Sequence, residues 1–140
     1  MAKIVIDANI IISAAFGGNP LKAVVLALEN HKVYLSGAIE QELQGVVSEL
    51  SKKLSKDQIS FVQEKIHQLV GLAKYISVSS PIALSRDAKD DHYLTLCREA
   101  KADFLIIGDK DLLSISQEDL KKNGISCKIV TPQVFLEPII

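Results

Sequence analysis

The feature that most limits what this chain can become is an acid set inside an aliphatic run. Lys3-Ile4-Val5-Ile6 is a short β-branched stretch, the pattern of a strand buried on both faces. Asp7 cuts it, Asn9 follows, and Ile10-Ile11-Ile12 carries the apolar run on to Ser13. A charge embedded there is costly unless it is paired or solvated. The end of a buried strand resolves the conflict, because open α/β sheets bind ligands outside the carboxyl edge of their strands. Asp7 is therefore placed at that edge.

The rest of the chain alternates between strand and helix patterns. After Gly17-Gly18, Asn19-Pro20 reads as a cap followed by proline in a first helical turn. Leu21, Val24, Val25 and Leu28 then mark one helical face. A short strand is expected at 33–35, closed by Ser36-Gly37. A helical hairpin follows from 38 to about 73, with Ser55 and Gln58 spaced as a capping box at its second helix. A weak strand is expected at 75–79 and a loop at 81–89. Asp87 is expected to cap a helix over 90–100 whose inner face is Tyr93, Leu94, Cys97 and Ala100. A buried strand at 104–107, a short helix between Ser116 and Asn123-Gly124, a last strand at 127–130 and a turn begun by Thr131-Pro132 complete the pattern. This predicts one α/β domain over 1–140, with a mostly parallel sheet and right-handed crossovers.

Length and composition narrow the classes. A chain of 140 residues with 48% hydrophobic content can fill one core. It holds no apolar run near the length of a membrane span and no signal-peptide pattern at its start. Cys97 and Cys127 lack metal spacing and read as buried free thiols, which suits a reducing cytosol. The net charge of −1 is not that of a protein held to duplex DNA by phosphates alone. Lys52, Lys53 and Lys56, and more loosely Lys121, Lys122 and Lys128, read as solvated helix faces, with nucleic-acid contact as the alternative.

With parallel strands, Asp7 and Asp109, which follows the strand at 104–107, share one sheet edge. Glu42, in the first turns of the helix after strand two, faces the same edge. Asp90 and Asp91 open the helix that feeds the 104–107 strand. Singly, these acids have ordinary explanations: Asp87, Asp90 and Asp91 suit a helix start, Glu42 a solvated helix face, and Asp109 and Asp111 a turn. Jointly they do not. Two carboxylates about 4 Å apart repel by roughly 1 to 4 kcal/mol, so a cluster needs a cation or a proton. Oxygen donors without a His or Cys cluster point to Mg²⁺ or Mn²⁺. His31 precedes a strand, His67 sits mid-helix, and His92 is read as a helix-surface residue, with an outer contact to a metal site as the alternative. No nucleophilic triad and no phosphate-binding P-loop is legible.

Ile4-Val5-Ile6-Asp7-Ala8-Asn9 with Ser13, Glu40-Gln41-Glu42-Leu43, Arg86-Asp87-Ala88-Lys89-Asp90-Asp91 and Gly108-Asp109-Lys110-Asp111-Leu112-Leu113 together resemble the PIN domain family. Within it, the chain is similar to the toxin components of bacterial and archaeal toxin–antitoxin systems. The resemblance implies a three-layer α/β/α sandwich and metal-dependent cleavage of single-stranded RNA. Asp7, Glu42, Asp90 and Asp109 would be the metal and catalytic acids, with Asp91 competing with Asp90. Asn9 and Ser13 would be supporting or water-positioning groups, and Asp111 a helper beside Asp109. It also implies a small antitoxin partner, a homodimer and a cytoplasmic setting. Ala88 and Lys101 depart from the family, which often has proline and glycine there; neither position carries chemistry.

Three other readings compete. An aspartate-dependent phosphatase wants a second aspartate two residues after the first, where this chain has Asn9. A receiver module needs an aspartate ending the third strand, and 75–81 contains none. An inactive PIN scaffold would bind RNA or protein only; the intact acids count against it.

Overall fold

The computed structural model describes residues 1–78, 91–108 and 110–137, apart from the side chains of residues 110 and 111. Ser79, the loop at 81–89, the expected cap Asp87, and Asp90 and Asp109 lie outside the described residues. The elements run β1 (Lys3–Ile6), α1 (Ala8–Ala14), α2 (Gly18–Asn30), β2 (Lys32–Leu35), α3 (Gly37–Ser51), α4 (Lys56–Val70) and β3 (Lys74–Tyr75). There follow α5 (Asp91–Ala100), β4 (Phe104–Ile106), α6 (Lys110–Leu113), α7 (Gln117–Lys122), β5 (Lys128–Val130) and α8 (Pro132–Phe135).

The strands form one sheet in the order β3-β2-β1-β4-β5, and every neighbouring pair is parallel. The chain lays down β1, β2 and β3 outward in one direction. It then returns across β1 to add β4 and β5 on the other side. Right-handed crossovers place the helices of the two halves on opposite faces, giving the α/β/α layering. The order reverses between β1 and β4, and that crevice is where open sheets of this kind bind ligands. Asp7 leaves β1 there.

The central strands explain the fold's hold. Ile4, Val5, Leu105 and Ile106 have no accessible surface, so a strand in the middle of the sheet is apolar on both faces. Each fully buried aliphatic side chain contributes about 1.5–3 kcal/mol. On α5, Tyr93, Leu94, Cys97 and Ala100 are all buried, as their spacing predicts. Cys97 and Cys127 are buried free thiols, and burial pushes the Cys97 thiol well up.

Two local expectations need correction. Asn19 does not cap α2: the helix starts at Gly18, and Gly17 is its cap, with no side-chain bond. Gly17 and Gly18 both take positive φ, 93° and 72°, a conformation that costs glycine little. The chain thereby turns through 108° between α1 and α2, and the helix begins before Asn19 is reached. The third strand is shorter than 75–79. Its pairing ends at Leu35 with Tyr75, and the Ile76 N–H still donates to the Leu35 carbonyl at 2.9 Å. Beyond that Ser36 leaves the sheet to cap α3, so the edge has no partner to ladder against.

The capping box is present as expected. The Gln58 N–H donates to Ser55 Oγ, and the Ser55 N–H donates to Gln58 Oε1 at 3.0 Å. Ser55→Ala should therefore cost about 1 kcal/mol of stability, read as a lower urea midpoint at unchanged slope; an unchanged midpoint would mean the cap is idle in solution.

Candidate active site

Ladder pairing carries β1 one residue past its end: the Asp7 N–H donates to the Ile106 carbonyl at 3.0 Å. The chain then enters α1 directly. Asp7 is the N-cap, its carboxylate accepting from the Asn9 N–H at 3.1 Å, and its side chain is 4% exposed. The positive end of α1 faces this carboxylate. An acid is thus held at the switch point by backbone on both sides.

Glu42 comes from α3, and its carboxylate is half-buried. Tyr93, a fully buried residue of α5, donates its hydroxyl to Glu42 Oε2 at 2.6 Å. The same hydroxyl accepts the N–H of Ala8, the residue after Asp7, at 3.0 Å. The phenol of Tyr93 is therefore a joint between the Asp7 corner and the Glu42 helix. Its pKa is raised far above the usual phenol range, first by burial, then by the charge of Asp7 and by the bond to Glu42. A phenol so placed stays neutral and keeps donating. His92 Nε2 meets the other Glu42 oxygen, Oε1. The His92 ring lies 4.0 Å from that of Tyr93, and its Nδ1 is buried with no hydrogen-bond partner among the described residues.

Sequence placed Asp7 and Glu42 at one edge, and in the structure the Tyr93 hydroxyl links Glu42 to Ala8, the residue after Asp7. Asn9 and Ser13 are exposed on α1, four residues apart and so on one helical face. Asp91 is the first residue of α5, 8% exposed. Asp90, Asp109 and the side chain of Asp111 lie outside the described residues. Among the described residues, no three His, Cys, Asp or Glu side chains close on a common point. The described candidate donors, Asp7, Glu42 and Asp91, are oxygen only. That fits Mg²⁺, which is commonly held by one or two carboxylates and otherwise keeps water and substrate phosphate.

The helix-surface reading of His92 is corrected: the ring turns back onto Glu42. Tyr93 was legible only as a core position. The signal available was its hydroxyl, since a buried tyrosine usually needs a partner for its O–H. A groove of about 660 Å³ between α3 and α4 has none of the candidate acids on its walls.

A doubly wound parallel sheet, with a buried aspartate at its switch point and a glutamate brought over by a neighbouring helix, defines the class. The chain belongs to the PIN domain family, which matches residues 3–111. PIN domains are generally nucleases and typically use a divalent metal. An uncharacterized protein of Methanocaldococcus jannaschii is 30% identical over 142 aligned positions, spanning 96% of this chain and 90% of that one. The crystal structure of VapBC2 from Rickettsia felis, bound to a DNA fragment from its promoter, shares the fold. The TM-score is 0.61 at 14% identity, over 92% of this chain and 98% of that one. No single helix among the described residues is long and apolar enough to cross a membrane.

Proposed function

We propose that this chain is a metal-dependent endoribonuclease that cuts single-stranded RNA, acting as the toxin of a toxin–antitoxin pair. The observation that carries the reading is the Tyr93 hydroxyl beside the switch point, which bonds the Ala8 N–H next to Asp7 and the Glu42 carboxylate, with the Asp7 charge close enough to raise the Tyr93 phenol. Asp7 and Glu42 hold Mg²⁺ or Mn²⁺, with Asp109 and either Asp90 or Asp91 completing the set. When bound, such an ion lowers the pKa of water and stabilises the leaving oxygen of an in-line phosphodiester displacement.

The chain's own groups do the rest. Tyr93 fixes the Glu42 carboxylate through Oε2, and the α1 backbone fixes that of Asp7. Asn9 and Ser13, exposed beside Asp7, orient water or a phosphate oxygen, and Asp111 supports Asp109. The likeness to VapBC2 supports a small antitoxin protein as partner. The domain, 1–140, works as a homodimer in the cytoplasm.

The test is direct. Purified protein should cut a labelled single-stranded RNA with Mg²⁺ or Mn²⁺, stop with excess chelator, and resume when the ion is restored. RNA held but never cut with either ion would favour the inactive scaffold. Induced expression should arrest growth, and co-expression of a small protein from the adjacent gene should relieve it.

A further inference from the structure

A second cavity adjoins the acid site. It holds about 490 Å³ and lies at the carboxyl edge of the sheet, between the first turns of α3 and the chain that runs on from β3. That volume is within the range of small-molecule sites, about 300–1,000 Å³. Gly37, Ala38 and Gln41 form its α3 wall, Tyr75 and Ser77 the opposite wall, and His92 the side nearest the acids. Three observations say what it can take.

Ala38, Gln41 and Glu42 share one face of α3, at spacings of three and four residues. The groove wall therefore runs straight into a candidate metal ligand. His92 belongs to both places, since its ring lines the groove while its Nε2 meets Glu42. Tyr75 is 48% exposed, an aromatic ring left to solvent on an edge strand, and the Gln41 side chain opposite is exposed too.

We infer that this groove binds one nucleobase of the RNA, next to the phosphate that a divalent ion on Asp7 and Glu42 would take. The base stacks on the Tyr75 ring and turns its polar edge toward Gln41. This rests on the ribonuclease reading above. Single-stranded RNA is read by proteins in this way, through splayed bases stacked on aromatic side chains and bonded along their edges. A stacking platform tolerates any base, and a single amide adds a preference among them.

Gly37 supplies a test that removes no contact. A Cβ added there would meet nothing within 4 Å, so the side chain of Gly37→Leu starts in open space at the groove wall. With a short fluorescent oligoribonucleotide, Tyr75→Ala and Gly37→Leu should each raise KM about tenfold with kcat within about twofold, as loss of one stacked base implies. Tyr75→Phe, which keeps the ring, should match wild type. A readout apart from turnover is fluorescence anisotropy of the same oligonucleotide on Asp7→Asn protein, where adding Tyr75→Ala should weaken binding about tenfold. Normal cleavage with wild-type KM in both Tyr75→Ala and Gly37→Leu would overturn the base site and leave the nuclease reading standing. It would also be the result if a protein partner, not RNA, filled the groove. Failure of wild-type protein to cut or bind RNA would overturn the nuclease reading itself.

Discussion

Asp7→Asn should abolish RNA cleavage, by about a thousandfold or more in single-turnover rate, while the protein remains folded. The exchange is nearly isosteric. Asparagine caps helices as well as aspartate does, and its amide oxygen can still accept the Asn9 N–H that now bonds the carboxylate. What is lost is the negative charge. Metal-ion catalysis is worth several kcal/mol of transition-state stabilisation, and about 4 kcal/mol is a thousandfold. Removing a charge from a site 4% exposed also relieves a burial cost. The melting temperature should therefore hold or rise, the pattern of a residue kept for activity at the expense of stability. Gel-based cleavage and a thermal melt on one preparation check both halves. Wild-type activity in Asp7→Asn would remove Asp7 from the chemistry.

Tyr93→Phe should cut kcat about ten- to a hundredfold, leave KM within about threefold, and cost about 1–3 kcal/mol of stability. The ring still fills its place in the core, so there is no cavity. The missing oxygen leaves the Ala8 N–H buried without its acceptor and frees one oxygen of Glu42. An unmet buried donor costs about that amount. The activity loss follows because Glu42 is no longer fixed relative to the Asp7 corner, and misplacement by about 1 Å can cost a hundredfold.

A pH profile separates this from general weakening. The Tyr93 phenol is raised above its ordinary value by burial, by Asp7 and by Glu42. Its proton is therefore held by the folded state where the unfolded chain would release it. The stability it contributes is complete below about pH 10 and is lost as pH rises above that, at about 1.4 kcal/mol per pH unit. Urea melts from pH 8 to 11 should show this alkaline fall in wild type and less of it in Tyr93→Phe. Parallel falls in the two proteins would mean that Tyr93 does not carry the linkage.

Much of this site was legible because one residue broke a rule. Asp7 interrupts an aliphatic run, and the only cheap place for such a charge is a strand end. The bounds of β1, the capping box at Ser55 and the buried face of α5 came from periodicity and local hydrogen bonding, both written in the sequence. Other features depend on partners far along the chain. His92 and Tyr93 sit fifty residues beyond Glu42, and helical periodicity assigned one to the surface and the other to the core. Only the packing of α5 against the β1–α1 corner turns both onto Glu42. The short β3 depends on where β2 stops, which Ser36 decides by capping α3. The start of α2 depends on two glycines with positive φ, whose effect exceeded the capping preference of Asn19.

The measurement that bears most directly on shared coordination is a crystal grown or soaked in Mn²⁺, with data collected at the manganese absorption edge. An anomalous peak should lie within about 2.0–2.6 Å of carboxylate oxygens from both Asp7 and Glu42. A well-ordered peak elsewhere, with Asp7 and Glu42 beyond reach of any ion at saturating Mn²⁺, would contradict it.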